Sequence, residues 1–458
     1  MSIVSEQLQR TGEVVIDQLY LVSAEGIPVD LRGFMIELSI YESIYSPVMS
    51  GSILISDSKN LFKTLGICGE EYIVIQFRTP NFDSDNSIRK TFKVYSITDR
   101  AIIDQSTTQM ILNFISYEAI RDTINNLFSS FEGKISEVVG DIFDQHLSMT
   151  RNLTVDPATN KVTEEVEKTS LLILDETENS VKFVSPGWSP IKCIQWLASK
   201  AIPAKGKACN FLFWESNKQF YFGPIEKIFE ISHTNPNMSI GRYKFFPPGP
   251  LSIDNLTDRM YRIEDIKMSK IMDTLSGARN GYLSNRMVAL DIMNKDYQYN
   301  DYYHLDKFDQ YNHTSGSNNN NAKPLYSGLF TNPKNNVKVY TVQSNLFTGV
   351  TDNVNEKMPE IYGNRLSNLH ELKNYKIEIA IPGRTDVEVG SMIEVDIPDT
   401  SPVDDEDIAN DKVDAVYSGM FLITKIHHKI NAISQKHSML LEIAKDSYTG
   451  LDSTDDWT

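Results

Sequence analysis

Three histidines form the most promising set of metal-ligating residues in this chain: His427 and His428 are adjacent, and His437 follows nine positions later. Imidazole suits zinc, and a hairpin turning between them would bring His437 beside one of the pair. Neighbouring strand residues point to opposite faces, however, so His427 and His428 cannot serve one ion, and no fourth ligand stands at a suitable spacing. The three read better as ordinary strand or interface residues. Asp404, Asp405, Glu406 and Asp407, with Asp411, offer carboxylates to calcium but lack the Asp-x-Asp-x-Asp-Gly spacing and its glycine, which leaves a solvated loop. Gly206-Lys207-Ala208 has neither the upstream glycine nor the hydroxyl of a phosphate-binding loop. There is no Gly-x-Ser-x-Gly elbow, and Cys68, Cys193 and Cys209 have no recognisable partner motif. Glycoside hydrolysis needs two carboxylates across a cleft, a geometry that sequence does not display, and no lysozyme-like segment is visible. These residues indicate no catalytic centre, no metal and no cofactor.

What the chain does carry is a repeated strand pattern. Phe92-Lys93-Val94-Tyr95-Ser96-Ile97 matches Phe421-Leu422-Ile423-Thr424-Lys425-Ile426, and Met110-Ile111-Leu112-Asn113-Phe114 matches Met439-Leu440-Leu441-Glu442-Ile443, at one constant offset of 329 positions. In each copy apolar residues recur at every second position, so a strand places them on one face. About a dozen residues separate the two strands of each copy, as in an antiparallel hairpin packed on a core. Gly69-Glu70-Glu71-Tyr72-Ile73-Val74 leads into the first copy and Gly390-Ser391-Met392-Ile393-Glu394-Val395 into the second. The order of glycine, strand, loop and hairpin suits a small closed or nearly closed barrel that hides its edges. Two readings remain open, a duplicated β-domain or a coincidence of strand alternation. If duplication holds, Phe92, Val94, Met110, Leu112 and Phe114 superpose on Phe421, Ile423, Met439, Leu441 and Ile443 as the two cores.

The 458 residues exceed one hydrophobic core, and 41% apolar content is enough to fold two to four domains. Lys+Arg 44 against Asp+Glu 61 gives a net charge of −17, which disfavours gripping nucleic acid or anionic membranes. Three unevenly placed cysteines suggest buried thiols in a reducing cytosol. The N-terminus lacks a signal-peptide core, and no apolar run approaches the roughly 18 residues of a membrane span.

Residues 1–121 are strand-like almost throughout and read as the first β-barrel. The period then changes: Ile135, Val138, Val139, Ile142, Phe143 and Leu147 form the stripe of an amphipathic helix. A second helix starts at Ser189-Pro190, and an aromatic hairpin follows with Phe211-Leu212-Phe213-Trp214 and Gln219-Phe220-Tyr221-Phe222. Residues 122–256 are therefore an α+β middle domain, closing in the proline-rich stretch 246–250. Strand patterns return over 257–296, including Met287 to Ile292, and again over 365–450, so the second barrel is discontinuous. The polar, Asn-rich interval 297–364, least structured around Ser315-Gly316-Ser317 and 318–321, is an insertion or extended loop with a short helix, and the helical pattern of Leu366, Leu369 and Leu372 leads from it into the second barrel's strands. Residues 451–458 form an acidic, frayed tail. The fold class is α+β, mainly β, with two similar small antiparallel barrels and an α+β middle domain.

Several passages, in this order, resemble the baseplate hub proteins of contractile-tailed bacteriophages, a family that includes the hub of phage T4 and is related to secretion-system (VgrG-like) spike proteins. They are Tyr41-Glu42-Ser43-Ile44-Tyr45-Ser46-Pro47 with Gly51, Ser56-Asp57-Ser58-Lys59-Asn60-Leu61, Gly69-Glu70-Glu71, the hairpin around Phe213-Trp214, and Ile381-Pro382-Gly383 to Val389-Gly390. The resemblance covers most of the chain and contains no catalytic signature. It implies a non-enzymatic structural virion protein of the tail baseplate, assembled in the host cytoplasm. Two barrels per chain and three chains per ring would match a six-subunit tail tube on one face and a three-fold spike on the other. The implied partners are two further copies of the chain, the tail tube protein, the spike protein and other inner baseplate proteins. The ring would enclose DNA without binding it, and no membrane is involved. The long interval departs from the family pattern; its Tyr299, Tyr302 and Tyr303 fit either contacts with a neighbouring protein or packing on their own domain. The alternative from another class is a peptidoglycan hydrolase or delivered effector on the same spike scaffold. A binding module for host carbohydrate, using Tyr302 and Tyr303, is a third.

Overall fold

In a computed structural model of the chain, the structure describes residues 8–60, 64–80, 87–105, 107–234, 239–245, 255–270, 273–292, 295–315, 331–341, 354–398, 413–414 and 416–447. The stretch 246–250, the Asn-rich run 318–321, the acidic run 404–407 with Asp411, and the tail 451–458 lie outside the described residues.

The protein is α+β and mainly β. Fourteen strands make one large sheet. In chain order they are β1 (Val15–Val22), β2 (Pro28–Asp30), β3 (Met35–Ser43), β4 (Ser50–Asp57), β5 (Tyr72–Arg78), β6 (Ile88–Ile102), β7 (Thr108–Ser116), β8 (Ser239–Phe245), β9 (Arg262–Ile263), β10 (Asp265–Lys270), β11 (Lys376–Pro382), β12 (Met392–Asp396), β13 (Gly419–Asn431) and β14 (Lys436–Ala444). No closed ring of paired strands forms among the described residues; the neighbours run β9-β8-β12-β13-β3-β4-β7-β6-β5-β1-β2, with β14, β11 and β10 branching from β13.

Two five-strand units stand out within this sheet. The first pairs in the order β3-β4-β7-β6-β5 and the second β10-β11-β14-β13-β12, antiparallel throughout. Val94 opposes Phe114 and Ile97 opposes Leu112; Ile423 opposes Ile443 and Ile426 opposes Leu441. A bulge interrupts the first pairing between Val94 and Ser96 and the second between Ile423 and Lys425, at the same offset as the rest. The neighbouring strands agree as well. Ile53 opposes Leu112 as Ile379 opposes Leu441, Ile73 opposes Phe92 as Ile393 opposes Phe421, and Leu38 opposes Ile53 as Ile266 opposes Ile379.

One difference is compensated. Gly51 opposes Phe114 in the first unit, where Ile377 opposes Ile443 in the second. A Cβ on Gly51 would lie 2.4 Å from the Phe114 ring, so the small residue makes room for the large one and the pair fills the space that two isoleucines fill in the other copy. Beyond five strands the units diverge. β1 joins β5 antiparallel, whereas β8 joins β12 parallel. Between β10 and β11 the second unit also accommodates a long excursion that the first lacks.

Each unit has its own core. Leu38, Ile53, Phe92, Leu112 and Phe114 belong to one cluster, and Ile377, Ile379, Phe421, Leu441 and Ile443 to another. A third cluster holds the middle region together. The helix Ile135–His146 buries the stripe from Ile135 to Phe143 against the helix Pro190–Ala198, and both pack on the hairpin of Phe211–Glu215 and Phe220–Pro224. Ser189 stands at the N-cap position of the second helix without a capping side-chain hydrogen bond, and Pro190 opens the helix; proline suits the first turn because its missing N–H would be unpaired there anyway.

The excursion after β10 is built differently from the expectation. Ser284–Asp291, which contains Met287 and Leu290, pairs with Asp296–Tyr303 and Val337–Thr341 in a separate three-stranded sheet. Its alternation is as strand-like as that of the large sheet, and only the pairing partner, set by residues distant in the chain, tells them apart. The helix that precedes β11 is long, Val354–Glu371. Tyr302 is buried against His304 and Tyr311, whereas Tyr299 and Tyr303 are exposed.

Candidate functional site at the seam between the units

The two units meet where β13 changes partner. Its first half, up to Leu422, pairs with β12; past the bulge, Lys425 to Asn431 pair with β3, from Lys425 opposite Ser43 to Asn431 opposite Glu37. Alternation then decides which side chains enter the seam. Leu38, Ile40 and Glu42 share the inward face of β3, and Ile426, His428 and Ile430 that of β13.

A buried polar chain results. His428 Nε2 lies 3.2 Å from Glu42 Oε1, and His428 Nδ1 lies 3.1 Å from His437 Nε2. Neutral rings satisfy both contacts if His437 Nε2–H donates to His428 Nδ1 and His428 Nε2–H donates to Glu42. Glu42 Oε2 and His437 Nδ1 then remain buried without a partner. Burial, and after it the neighbouring His428, push the His437 pKa well below the ordinary histidine value. Phe77 presents its ring edge to both imidazoles, at centroid distances of 6.3 and 5.5 Å. The backbone closes around His437: its N–H donates to Gly12 O and its carbonyl accepts from the Gly383 N–H. A Cβ on Gly383 would lie 2.0 Å from the ring, so only glycine permits this approach. His427 points to the opposite face, stacks on Tyr41 and contacts Ser39 Oγ. The hairpin thus brings together His428 and His437, with Glu42 as third member, in a closed arrangement that links the units.

A second buried network fastens the middle region to the first unit. Glu215, at the end of the inward face Phe211, Phe213, Glu215, accepts hydrogen bonds from the Met49 N–H and Ser116 Oγ, each 2.7 Å, and pairs with Lys90. Burial alone would lower the Lys90 pKa, but Glu215 and Glu118 reverse this and hold the ammonium above its ordinary value. Glu118 is raised, by burial and then by the Glu215 charge.

His313, Glu371 and Asp446 also converge, with ligand atoms within 4.8 Å of one another. Their polar atoms are already engaged. His313 Nδ1 is 2.9 Å from Asp446 Oδ2, and its Nε2 is 2.9 Å from Phe308 O. Asp446 Oδ1 accepts from Thr314, and Glu371 accepts from His304 and Tyr282. This group ties the excursion to the end of β14.

Phe92, Val94, Met110, Leu112, Phe114, Phe421, Ile423, Met439, Leu441 and Ile443 are all buried, five in each of the two unit cores. Sequence reasoning missed Glu42, Glu215 and Asp446. The first two had a usable signal, a carboxylate falling on the apolar face of an alternating strand. Asp446 had none, since its partners lie far away in sequence.

No family model matches the chain, and no curated protein matches it. Its structural neighbours are phage tail proteins and components of secretion spikes. A tail protein from Neisseria meningitidis MC58 is 11% identical, covering 94% of this chain and 96% of its own, with a TM-score of 0.49. The 43 kDa tail protein of prophage MuSo2 from Shewanella oneidensis is 9% identical, covering 93% and 97%, with a TM-score of 0.49. The E. coli c3393 protein is a type VI secretion component described as structurally similar to the T4 tail proteins gp27 and gp5. It is 8% identical, covering 94% of this chain and 76% of its own, with a TM-score of 0.39.

Proposed function

We propose that this chain is a structural protein of a contractile phage tail, a baseplate hub that adapts a six-fold tube to a three-fold spike. The observation that carries the reading is the pair of five-strand units with the same order, register and bulge, side by side in one sheet. An object with three chains presents six equivalent surfaces only if each chain supplies two. The units are read as copies of one ancestral domain, each curling into a small barrel, related in the trimer by a rotation of roughly 60° about the ring axis. The two sets of core residues, Phe92 to Phe114 and Phe421 to Ile443, are the equivalent positions.

The proposed domains are residues 1–121 as the first barrel, 122–256 as the middle domain, and 257–270 with 365–450 as the second barrel, the strand Ser284–Asp291 going with the inserted region because it pairs there. Tube protein, spike protein and inner baseplate proteins are the partners, and the site of action is the virion tail after assembly in the host cytoplasm. DNA passes through the ring without being gripped. The reading is tested by mass and symmetry together: light scattering on the purified protein should give three chains of 52.0 kDa, about 156 kDa, and electron-microscopic averages should show a ring with six similar lobes. A stable monomer, alone and with a spike protein, would refute it.

A further inference from the structure

His313, Glu371 and Asp446 come from three distant parts of the chain. His313 follows the single turn Phe308–Gln310 of the excursion, Glu371 ends the helix Val354–Glu371, and Asp446 lies just past β14. The side chains of His313, Glu371 and Asp446 are only 3, 4 and 7% exposed. Two carboxylates buried this deeply are costly unless positive charge accompanies them. The ion-pair partners they meet are imidazoles, His313 for Asp446 and His304 for Glu371.

The contacts of His313 require a cation between it and Asp446. Its Nε2 lies 2.9 Å from Phe308 O, which can only accept, so that nitrogen carries a hydrogen. In a neutral ring Nδ1 would then present a lone pair, yet it lies 2.9 Å from Asp446 Oδ2, which offers lone pairs too. Either a second proton or a metal ion must separate them. The surroundings are those of a metal ligand set, in which a histidine donates its other N–H to a carbonyl and the carboxylates are themselves hydrogen-bonded. Phe308 supplies that carbonyl and stacks its own ring on His313, with centroids 3.9 Å apart. Asp446 Oδ1 accepts from the N–H and hydroxyl of Thr314, both at 2.8 Å, and from the Ser447 hydroxyl, which leaves Oδ2 facing His313. Glu371 is held by the Tyr282 hydroxyl on Oε1 and by His304 Nε2, 2.9 Å from Oε2.

We propose that His313 Nδ1, Asp446 Oδ2 and a carboxylate oxygen of Glu371 hold one zinc ion. The ion takes the place of the proton between His313 and Asp446, and that proton leaves to solvent. One imidazole with two carboxylates suits zinc, whereas calcium and magnesium prefer oxygen ligands alone. Ligand atoms around a tetrahedral zinc stand ~3.3 Å apart. His313 and Asp446 are already near that separation, and Glu371, whose ligand atom lies within 4.8 Å of theirs, closes the rest by a side-chain rotation. A water completes the four. The ion would clamp the excursion, the long helix and the end of β14 at one point, and its binding does not depend on the hub reading.

Zinc titration of the full chain tests the site. Protein stripped with EDTA is titrated with zinc chloride in a calorimeter, and the metal retained after gel filtration is measured by elemental analysis. One zinc per chain is expected, with a melting temperature that rises with zinc and falls back on adding EDTA. His313→Gln and Asp446→Asn should each weaken binding by more than ~100-fold, and His304→Gln, which meets the site only through Glu371, by ~10–100-fold. His427→Gln, outside the cluster, should bind zinc as the parent does. If circular dichroism shows that Asp446→Asn does not fold, Glu371→Gln and the zinc dependence of the parent's melting decide the question. A folded parent chain that binds no zinc would overturn the proposal, as would zinc binding that survives the ligand variants, or calcium bound as tightly as zinc.

Discussion

Ile430 and Ile102 occupy corresponding places in two strands of matching register, one sealed inside a neighbouring core and the other almost fully in water. The same side chain should therefore carry different weight in the isolated chain. Ile430→Asp would bury a carboxylate with no counter-charge and should cost several kcal/mol of stability. Ile102→Asp should leave the denaturation midpoint of the monomer unchanged. Chemical unfolding of both variants, read by intrinsic fluorescence, checks the contrast.

Leu112 and Leu441 provide a test of equivalence. Both are buried at matching positions of the two cores. Leu112→Asp and Leu441→Asp should be similarly damaging, each losing several kcal/mol. If one variant is tolerated and the other prevents soluble expression, the units do not contribute equally to the fold.

The Glu215 carboxylate is the partner that justifies the burial of the Lys90 ammonium. Glu215→Gln keeps the shape but strands the charge, and a broken buried pair costs about 3–5 kcal/mol. Replacing both together, with Lys90→Met and Glu215→Leu, should recover much of that loss. A double-mutant cycle on urea midpoints measures the coupling.

Acid should loosen the seam. His437 has its pKa depressed in the folded protein, so the unfolded chain takes up a proton first, near pH 6.5. Its contribution is fully present above that value and is lost as pH falls further, by up to about 1.4 kcal/mol per pH unit. His437→Gln should flatten the acid limb of a stability-against-pH curve. At the other end, burial opposes charge on His313, but Asp446 outweighs it and lifts the pKa to about 9. That pair stabilises below pH 6.5 and should be lost as pH rises through about 9, with His313→Gln removing the alkaline dependence.

Neither cell-wall hydrolysis nor DNA binding is expected of the purified protein. A net charge of −17 repels a polyanion, so duplex DNA should migrate unretarded at physiological salt. A zymogram with embedded peptidoglycan should stay opaque; clearing would favour the hydrolase alternative.

Strand alternation alone was enough to locate the two hairpins and their constant offset, because period two is a local property that any packed strand must keep. The helix Ile135–His146 was legible for the same reason, through its own period. Partner choice is not local. That β13 leaves its own unit for β3, that β8 joins β12 parallel, and that Ser284–Asp291 enters a separate sheet were decided by contacts between residues far apart in the chain. The histidines show the division most clearly. Alternation placed His428 and His427 on opposite faces, but only the fold could bring Glu42, almost four hundred positions away, against His428, and close Gly383 over His437 so that water is shut out and the pair becomes part of a seam.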